Sequence, residues 1–332
     1  MIQIRRNNLE ELANRFFEKL NPKTKKGDRF NLTEALIPKL KNATPKSYFT
    51  FLIDERNNFS RLKTLITSSP KDLKKEFIDG KVGEKYNQLS QKNKNEVKNF
   101  FKNQYENLRG NETGYWLGSN LNVKTCPYCN REYTFTYRTA ENKPKLLYDF
   151  DHFFDKGTYP YLALSFYNLI PSCSICNSRF KHSEKFDIDK HFHPYFEGFS
   201  KEALFTTQLI CKSDVEKEED FGMAFFEGNL NSFEVNLNDN DCEKTKRHKK
   251  VFQIEQVYNE HKDYIYEMIQ KSQVYNESYL NELFQSYEGT LFRNREDVLK
   301  LALGNYLELE DFEKRPLSKL THDIAKELGL LD

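Results

Sequence analysis

Apolar residues recur at helical spacing through the first third of the chain. Leu9, Leu12, Ala13, Phe16, Phe17 and Leu20 make one face of a helix, opened by a capping box of Asn8 and Glu11. Asn31 with Glu34 repeats that device before Ala35, Leu36 and Leu40, and Pro38 must kink or end the helix. Ser69-Pro70 reads as a helix start with proline in the first turn. A helix near 91–108 puts Val97, Phe101, Tyr105 and Leu108 on one face and stops near Gly110. Its other face carries Lys92, Lys94, Lys98 and Lys102, either a solvated face or a stripe that meets phosphates.

The pattern then changes period. Tyr133-Thr-Phe-Thr-Tyr137 alternates as a strand does, and Leu146 to His152 reads as the next strand. From Ser174 the chain turns helical. Ala224–Gly228 and Ser232–Leu237 read as two strands joined by a turn containing Gly-Asn, extending the same sheet. Val251, Ile254, Val257, Tyr258, Ile265 and Ile269 predict one long helix, and Leu320, Ile324, Leu328 and Leu331 a short one that docks on the body or, as the lesser reading, on another protein. These elements predict a predominantly helical α+β protein in three segments: a helical 1–110, a central 111–195 and a sheet-plus-helix 196–332.

Composition narrows the partners. A chain of 332 residues is long enough for two or three packed units. Its formal charge of +1 supplies no global basic field, so a nucleic acid would have to be held by a local patch or with a partner's help. The densest basic run, Lys244 to Lys250, is a groove-lining patch or a solvated helix start. No stretch approaches the twenty apolar residues of a membrane span, which predicts a cytoplasmic protein without a membrane partner. Only 13 glycines argue against long flexible linkers.

The chemistry concentrates between Cys126 and Phe186. Cys126-Pro-Tyr-Cys129 and Cys173-Ser-Ile-Cys176 supply four soft ligands, enough to close a tetrahedral structural zinc site with no position left for chemistry. C-x-x-C pairs in a chain without an export signal favour metal over disulfides. Such pairs standing alone most often make non-catalytic zinc modules. Here they frame Asp149-Phe-Asp151-His152, Asn168 and Asn177, which a closed zinc site does not need.

This ordered set resembles the HNH (ββα-metal) endonuclease core stapled by a four-cysteine zinc. Asp151 and His152 match the family's first motif, Asn168 the second and Asn177 the third, with Asn in place of the naming His. The resemblance implies a zinc-stapled ββα-metal core between helical flanks, with His152, Asp151, Asn168 and Asn177 as its catalytic set. His152, whose ordinary pKa lies near neutrality, is the natural general base. Asp151 and Asn177 offer oxygens that suit one catalytic Mg²⁺ or Mn²⁺. On a flat strand Asp151 and His152 face opposite ways, so a twist must bring them together. Asn168 ties the loop to the strand and orients His152, and Asp149 is a reserve ligand.

Arg179, Lys181 and Lys185, and further on Lys246, Arg247, Lys249 and Lys250, are the expected nucleic-acid-binding side chains. His182, His191 and His193 match no ligand spacing, and His193-Pro194-Tyr195 reads as a packing turn. Cys211 and Cys242 read as ordinary thiols. The run Tyr159 to Leu164 and His193 to Tyr195 are similar to the nuclease component of Septu-type antiviral systems, which implies a defence role and an ATPase partner. Expected activity is phosphodiester hydrolysis, with DNA as substrate or structured RNA such as tRNA. A zinc-stabilised binding module with a degenerate site is the reading from another class.

Overall fold

The computed structural model describes residues 1–21, 32, 43–54, 57–199, 203–210 and 229–331. The fold is α+β and mostly helical, with its strands in three separate two-stranded sheets among the described residues. The Asn31–Glu34 capping box, the 224–228 strand and Cys211 lie outside the described residues.

Packing divides the chain into two units, one formed by Met1–Gln3, Lys124–Tyr133 and Phe196–Asp332, the other by Ile4–Val123 and Thr134–Tyr195. The residues read as three successive segments are thus distributed over two bodies, and the boundary at 195/196 is common to both divisions.

The second of these units carries α1 (Leu9–Leu20), α2 (Ala43–Ile53), α3 (Ser60–Thr67), α4 (Lys81–Asn87), α5 (Gln91–Arg109) and α6 (Glu112–Leu121). In α1 the predicted face is buried through Leu12, Ala13, Phe16 and Leu20, although the Asn8 side chain makes no cap bond. Ser69 caps a turn at Pro70–Asp72 by accepting from the Asp72 amide, and the chain continues as the π-helix Leu73–Ile78. The apolar side of α5 is the predicted one, with Val97, Phe101, Tyr105 and Leu108 buried, while Lys92, Lys98 and Lys102 are exposed. Phe16, Phe49, Phe101, Phe150, Phe153, Phe154, Tyr161 and Phe166 make an aromatic core, each ring contributing about 1.5–3 kcal/mol by leaving water.

Two short antiparallel pairs follow α6. β1 (Thr136–Arg138) pairs with β2 (Pro144–Leu146), and β3 (Asp149–His152) pairs with β4 (Leu169–Ser172) in the register His152↔Leu169 and Asp149↔Ser172. The single strand expected over 146–152 is therefore split. Tyr148 breaks it, its ring buried edge-on against Phe150 and its hydroxyl 3.3 Å from Thr136 Oγ1. The helix expected after Ser174 is a π-helix, Ile175–Lys181.

The other unit holds β5 (Phe205–Leu209) and β6 (Phe233–Leu237), paired with each other and not added to the sheet of β3. The partner of Ser232–Leu237 is thus a strand that the sequence pattern did not mark. Helices α7 (Glu243–Phe252), α8 (Ile254–Tyr258), α9 (Lys262–Val274), α10 (Glu277–Tyr287), α11 (Arg295–Leu303) and α12 (Ser318–Glu327) follow. The predicted long helix is broken at Gln253, whose φ of 48° lies in the left-handed region, and again at the 3₁₀ turn Asn259–His261. Its apolar face survives the break, since Ile254, Tyr258, Ile265 and Ile269 are all buried.

This unit grips the Cys126–Cys129 turn. Tyr128 stacks on Phe252 at 4.8 Å, His248 Nε2 meets the Tyr128 carbonyl at 2.7 Å, and the Tyr258 hydroxyl donates to the Cys129 carbonyl at 2.6 Å. No helix among the described residues is long and apolar enough to cross a membrane.

Candidate functional site

The site is built on β3 and the π-helix after β4. β3 is buried from end to end, and its four residues line one pocket with Tyr105, Arg109, Asp155, Lys156, Asn177, Ser178, Lys181 and His182. The pocket therefore gathers Asp151, His152 and Asn177, as well as the reserve residue Asp149. It does not include Asn168.

Asn168 instead sits behind the pocket, between β3 and the loop that follows it. Fully buried, it accepts from the Phe154 amide at 2.7 Å and donates to the carbonyls of Phe154 and Leu162 at 3.1 and 3.0 Å. These bonds tie the 160–168 loop to the end of β3. The next carbonyl in that loop, Ala163, meets His152 Nε2 at 3.0 Å. A carbonyl can only accept, so Nε2 carries the proton and Nδ1 is left as the basic nitrogen.

The environment of His152 keeps it neutral. Burial is the main cause, the Lys156 ammonium adds to it and the Ala163 carbonyl opposes it, with the pKa drawn down to about 3. The Tyr105 ring lies edge-on to the imidazole at 4.5 Å, and its hydroxyl donates to the Phe150 carbonyl at 2.7 Å.

Each carboxylate of the pocket is already engaged. Asp149 pairs with Arg109 and accepts from the Asn177 amide at 3.1 Å. Asp151 takes the Lys181 ammonium at 2.9 Å, and the same ammonium donates to the His152 carbonyl at 2.6 Å. Asp155 accepts from the Gly157 amide and from both the amide and hydroxyl of Thr158. Burial pushes Asp155 upward, but these hydrogen bonds outweigh it and hold the carboxyl below its usual range. Lys156 is exposed along its stem while its ammonium lies 4.4 Å from the centre of the Tyr105 ring. Desolvation of that end lowers its pKa, and the Asp151 charge opposes the shift.

Two expectations change here. Lys181 is not a surface cation for phosphates: it is 3% exposed and salt-bridged inside the pocket. Asp151 and Asn177 do not fit a shared Mg²⁺ or Mn²⁺ as arranged, because Asp151 faces an ammonium and the Asn177 amide turns to Asp149. Arg179 and Lys185 are exposed, as expected of residues that could meet a polyanion. In the second basic run Arg247 and Lys250 are exposed. Lys246 pairs with Asp241 and Glu243, and Lys249 is tied to the Leu237 carbonyl, Asp239 and Glu255.

His191 stacks flat on Phe186 at 4.2 Å, and His193 packs on Phe153 at 4.3 Å in the predicted packing turn. Arg109, Tyr105 and Lys156 were not anticipated as site residues. Arg109 and Tyr105 lie four apart on one face of α5, a signal that only the fold makes readable.

The sulfurs of Cys126, Cys129, Cys173 and Cys176 lie within 4.8 Å of one another, and all four residues are buried. Backbone amides of Arg131 and Cys176 point at Cys129 and Cys173 sulfurs at 3.5 and 3.4 Å, as they do where a thiolate is held for a metal. A tetrahedron with arms of about 2.3 Å spans about 3.8 Å between sulfurs, which this group can reach by a small contraction. The donor set fits a structural zinc. Comparison with protein-family models, curated proteins and solved structures found no match.

Proposed function

We propose that the protein is an endonuclease that hydrolyses phosphodiester bonds at the Asp149–His152 pocket, with a structural zinc on its four cysteines. The observation that carries this reading is the 3.0 Å contact between His152 Nε2 and the Ala163 carbonyl. With Nε2 held there, a neutral imidazole offers Nδ1 as a base in a pocket that also contains Arg109 and Lys156. Nδ1 accepts a proton from water, the resulting hydroxide attacks phosphorus, and the bond to the leaving oxygen breaks as a solvent proton neutralises it. Arg109 and Lys156 offset charge that builds on the phosphoryl oxygens.

Duplex DNA is the favoured substrate, and structured RNA is the alternative within the same chemistry. The HNH assignment, the defence setting and the ATPase partner rest on the sequence resemblance. The test is cleavage of plasmid DNA and total tRNA by zinc-loaded wild type and His152→Ala, each with added Mg²⁺ and without. Loss of a general base costs about 10²–10⁴ in rate, so cutting by wild type should fall by that factor in the variant. Equal cutting by both proteins, or none by wild type on either nucleic acid, would overturn the reading.

A further inference from the structure

The pocket already contains a cation where a metal would be sought. Lys181 ends the π-helix Ile175–Lys181, four residues after Asn177, and its ammonium reaches inward to Asp151 Oδ1 at 2.9 Å and to the His152 carbonyl at 2.6 Å. Both side chains of the pair are about 5% exposed or less. A buried ammonium with two oxygen acceptors is a satisfied charge, and separating it from Asp151 would leave a buried carboxylate alone.

The backbone around Lys181 is unusual on two counts. The helix follows the wider π pattern, with the His182 amide bonding back to the Asn177 carbonyl, a distortion often found at functional sites. The very next residue, His182, adopts φ 38° and ψ −103°, a conformation that strains any residue with a Cβ. The helix thus ends at Lys181, whose side chain lines the pocket.

The charges complete the case. The three carboxylates lining the pocket, Asp149, Asp151 and Asp155, are balanced in number by three cations, Arg109, Lys181 and Lys156, of which Arg109 pairs with Asp149 and Lys181 with Asp151. A divalent ion at Asp151 would meet the Lys181 ammonium at contact distance and leave the pocket with two positive charges in excess.

We propose that Lys181 is the resident cation of this pocket: it holds the place at Asp151 that a divalent metal would take, and the site binds no divalent ion there. Under the nuclease reading, on which this last step rests, the charge of the phosphodiester is met by the protein's own cations.

The test reads metal binding directly and needs no cleavage, so it stands or falls apart from the nuclease assay. Zinc-loaded full-length protein is titrated with Mn²⁺, and the free ion is followed by its paramagnetic resonance signal. Wild type should leave that signal unchanged up to about 1 mM Mn²⁺, the weak end of protein sites for hard cations. Lys181→Met, first shown to be folded by circular dichroism, should take up one Mn²⁺ per chain and lose it again when Asp151→Asn is added. Stoichiometric uptake by wild type that Asp151→Asn abolishes would overturn the proposal. So would a folded Lys181→Met that gains no Mn²⁺. Should Lys181→Met not fold, wild type against Asp151→Asn decides by itself.

Discussion

His152 is held as a neutral base by position and not by a carboxylate partner. Its pKa is depressed to about 3 mainly by burial and secondarily by the Lys156 ammonium. A histidine lowered in this way is deprotonated throughout the physiological range, so falling pH removes the base only as it approaches the folded pKa. If His152 is the base of the proposed nuclease, the pH–rate profile of kcat/KM should stay flat on its acid side from pH 8 to about pH 5, without the inflection near 6.5 of a solvent-exposed imidazole. An inflection near 6.5 would show that His152 titrates freely. Replacing Lys156 with Met removes one lowering influence and should shift the acid limb upward by less than about one unit. The sequence set Asp151-His152 and Asn177 in order between the C-x-x-C pairs and just after them, and the fold lines one pocket with all three. The part played by Lys181 was not legible there. A lysine in a polar helix reads as a surface charge, and only the fold shows it buried against Asp151.

At the scale of elements, the 160–168 loop and β3 act as one piece because Asn168 binds both. Asn168→Ala would strand the Phe154 amide and carbonyl, while the Leu162 carbonyl keeps the Ser165 amide as a partner. Each unpaired buried group costs about 1–3 kcal/mol, so the expected loss is about 3–5 kcal/mol in urea unfolding, with an unchanged m-value. A loss under about 1 kcal/mol would mean that the loop is held by other contacts. The same logic explains which elements the sequence announced. The helices α1 and α5 were readable from four or more apolar residues at i, i+3, i+4 spacing, a pattern that packing then used without change. The strands were less readable. β2 and β3 form one run of alternating character, and the break at Tyr148 comes from its packing against Phe150 and Thr136, which sequence alone does not contain. Phe205-Thr-Thr-Gln-Leu209 was missed because its outer positions are polar and its pairing partner lies more than twenty residues away. Gln253 ends α7 in a left-handed conformation that favours Gly or Asn, so no familiar stop signal marked it.

For the whole molecule, the four cysteines decide whether the fold needs a metal. Four buried thiol groups whose sulfurs lie within 4.8 Å pack poorly against one another without an ion, since thiolates repel and thiols make weak hydrogen bonds. A zinc ion converts that cost into binding free energy, and because the unfolded chain offers no preformed site, the gain appears as stability. Each cysteine turn has local hydrogen bonds of its own, from the Asn130 amide to the Cys126 carbonyl at 2.8 Å and from the Asn177 amide to the Cys173 carbonyl at 3.0 Å. These one-turn bonds fix the loops but not the distances across the sulfur cluster. The purified protein should accordingly contain one zinc per chain by elemental analysis. Removing it with a strong chelator, or replacing one ligand by Cys173→Ser, should lower the Tm by more than about 10 °C, since structural zinc sites contribute free energy comparable to a domain's whole stability. Asn177 and Lys181 share the π-helix Ile175–Lys181 with Cys176, so zinc loss should also disturb the pocket, seen as new exposure of His152 to a histidine-selective reagent. Metal-free protein with the melting temperature of the zinc-loaded form would show that the cysteines are merely core residues.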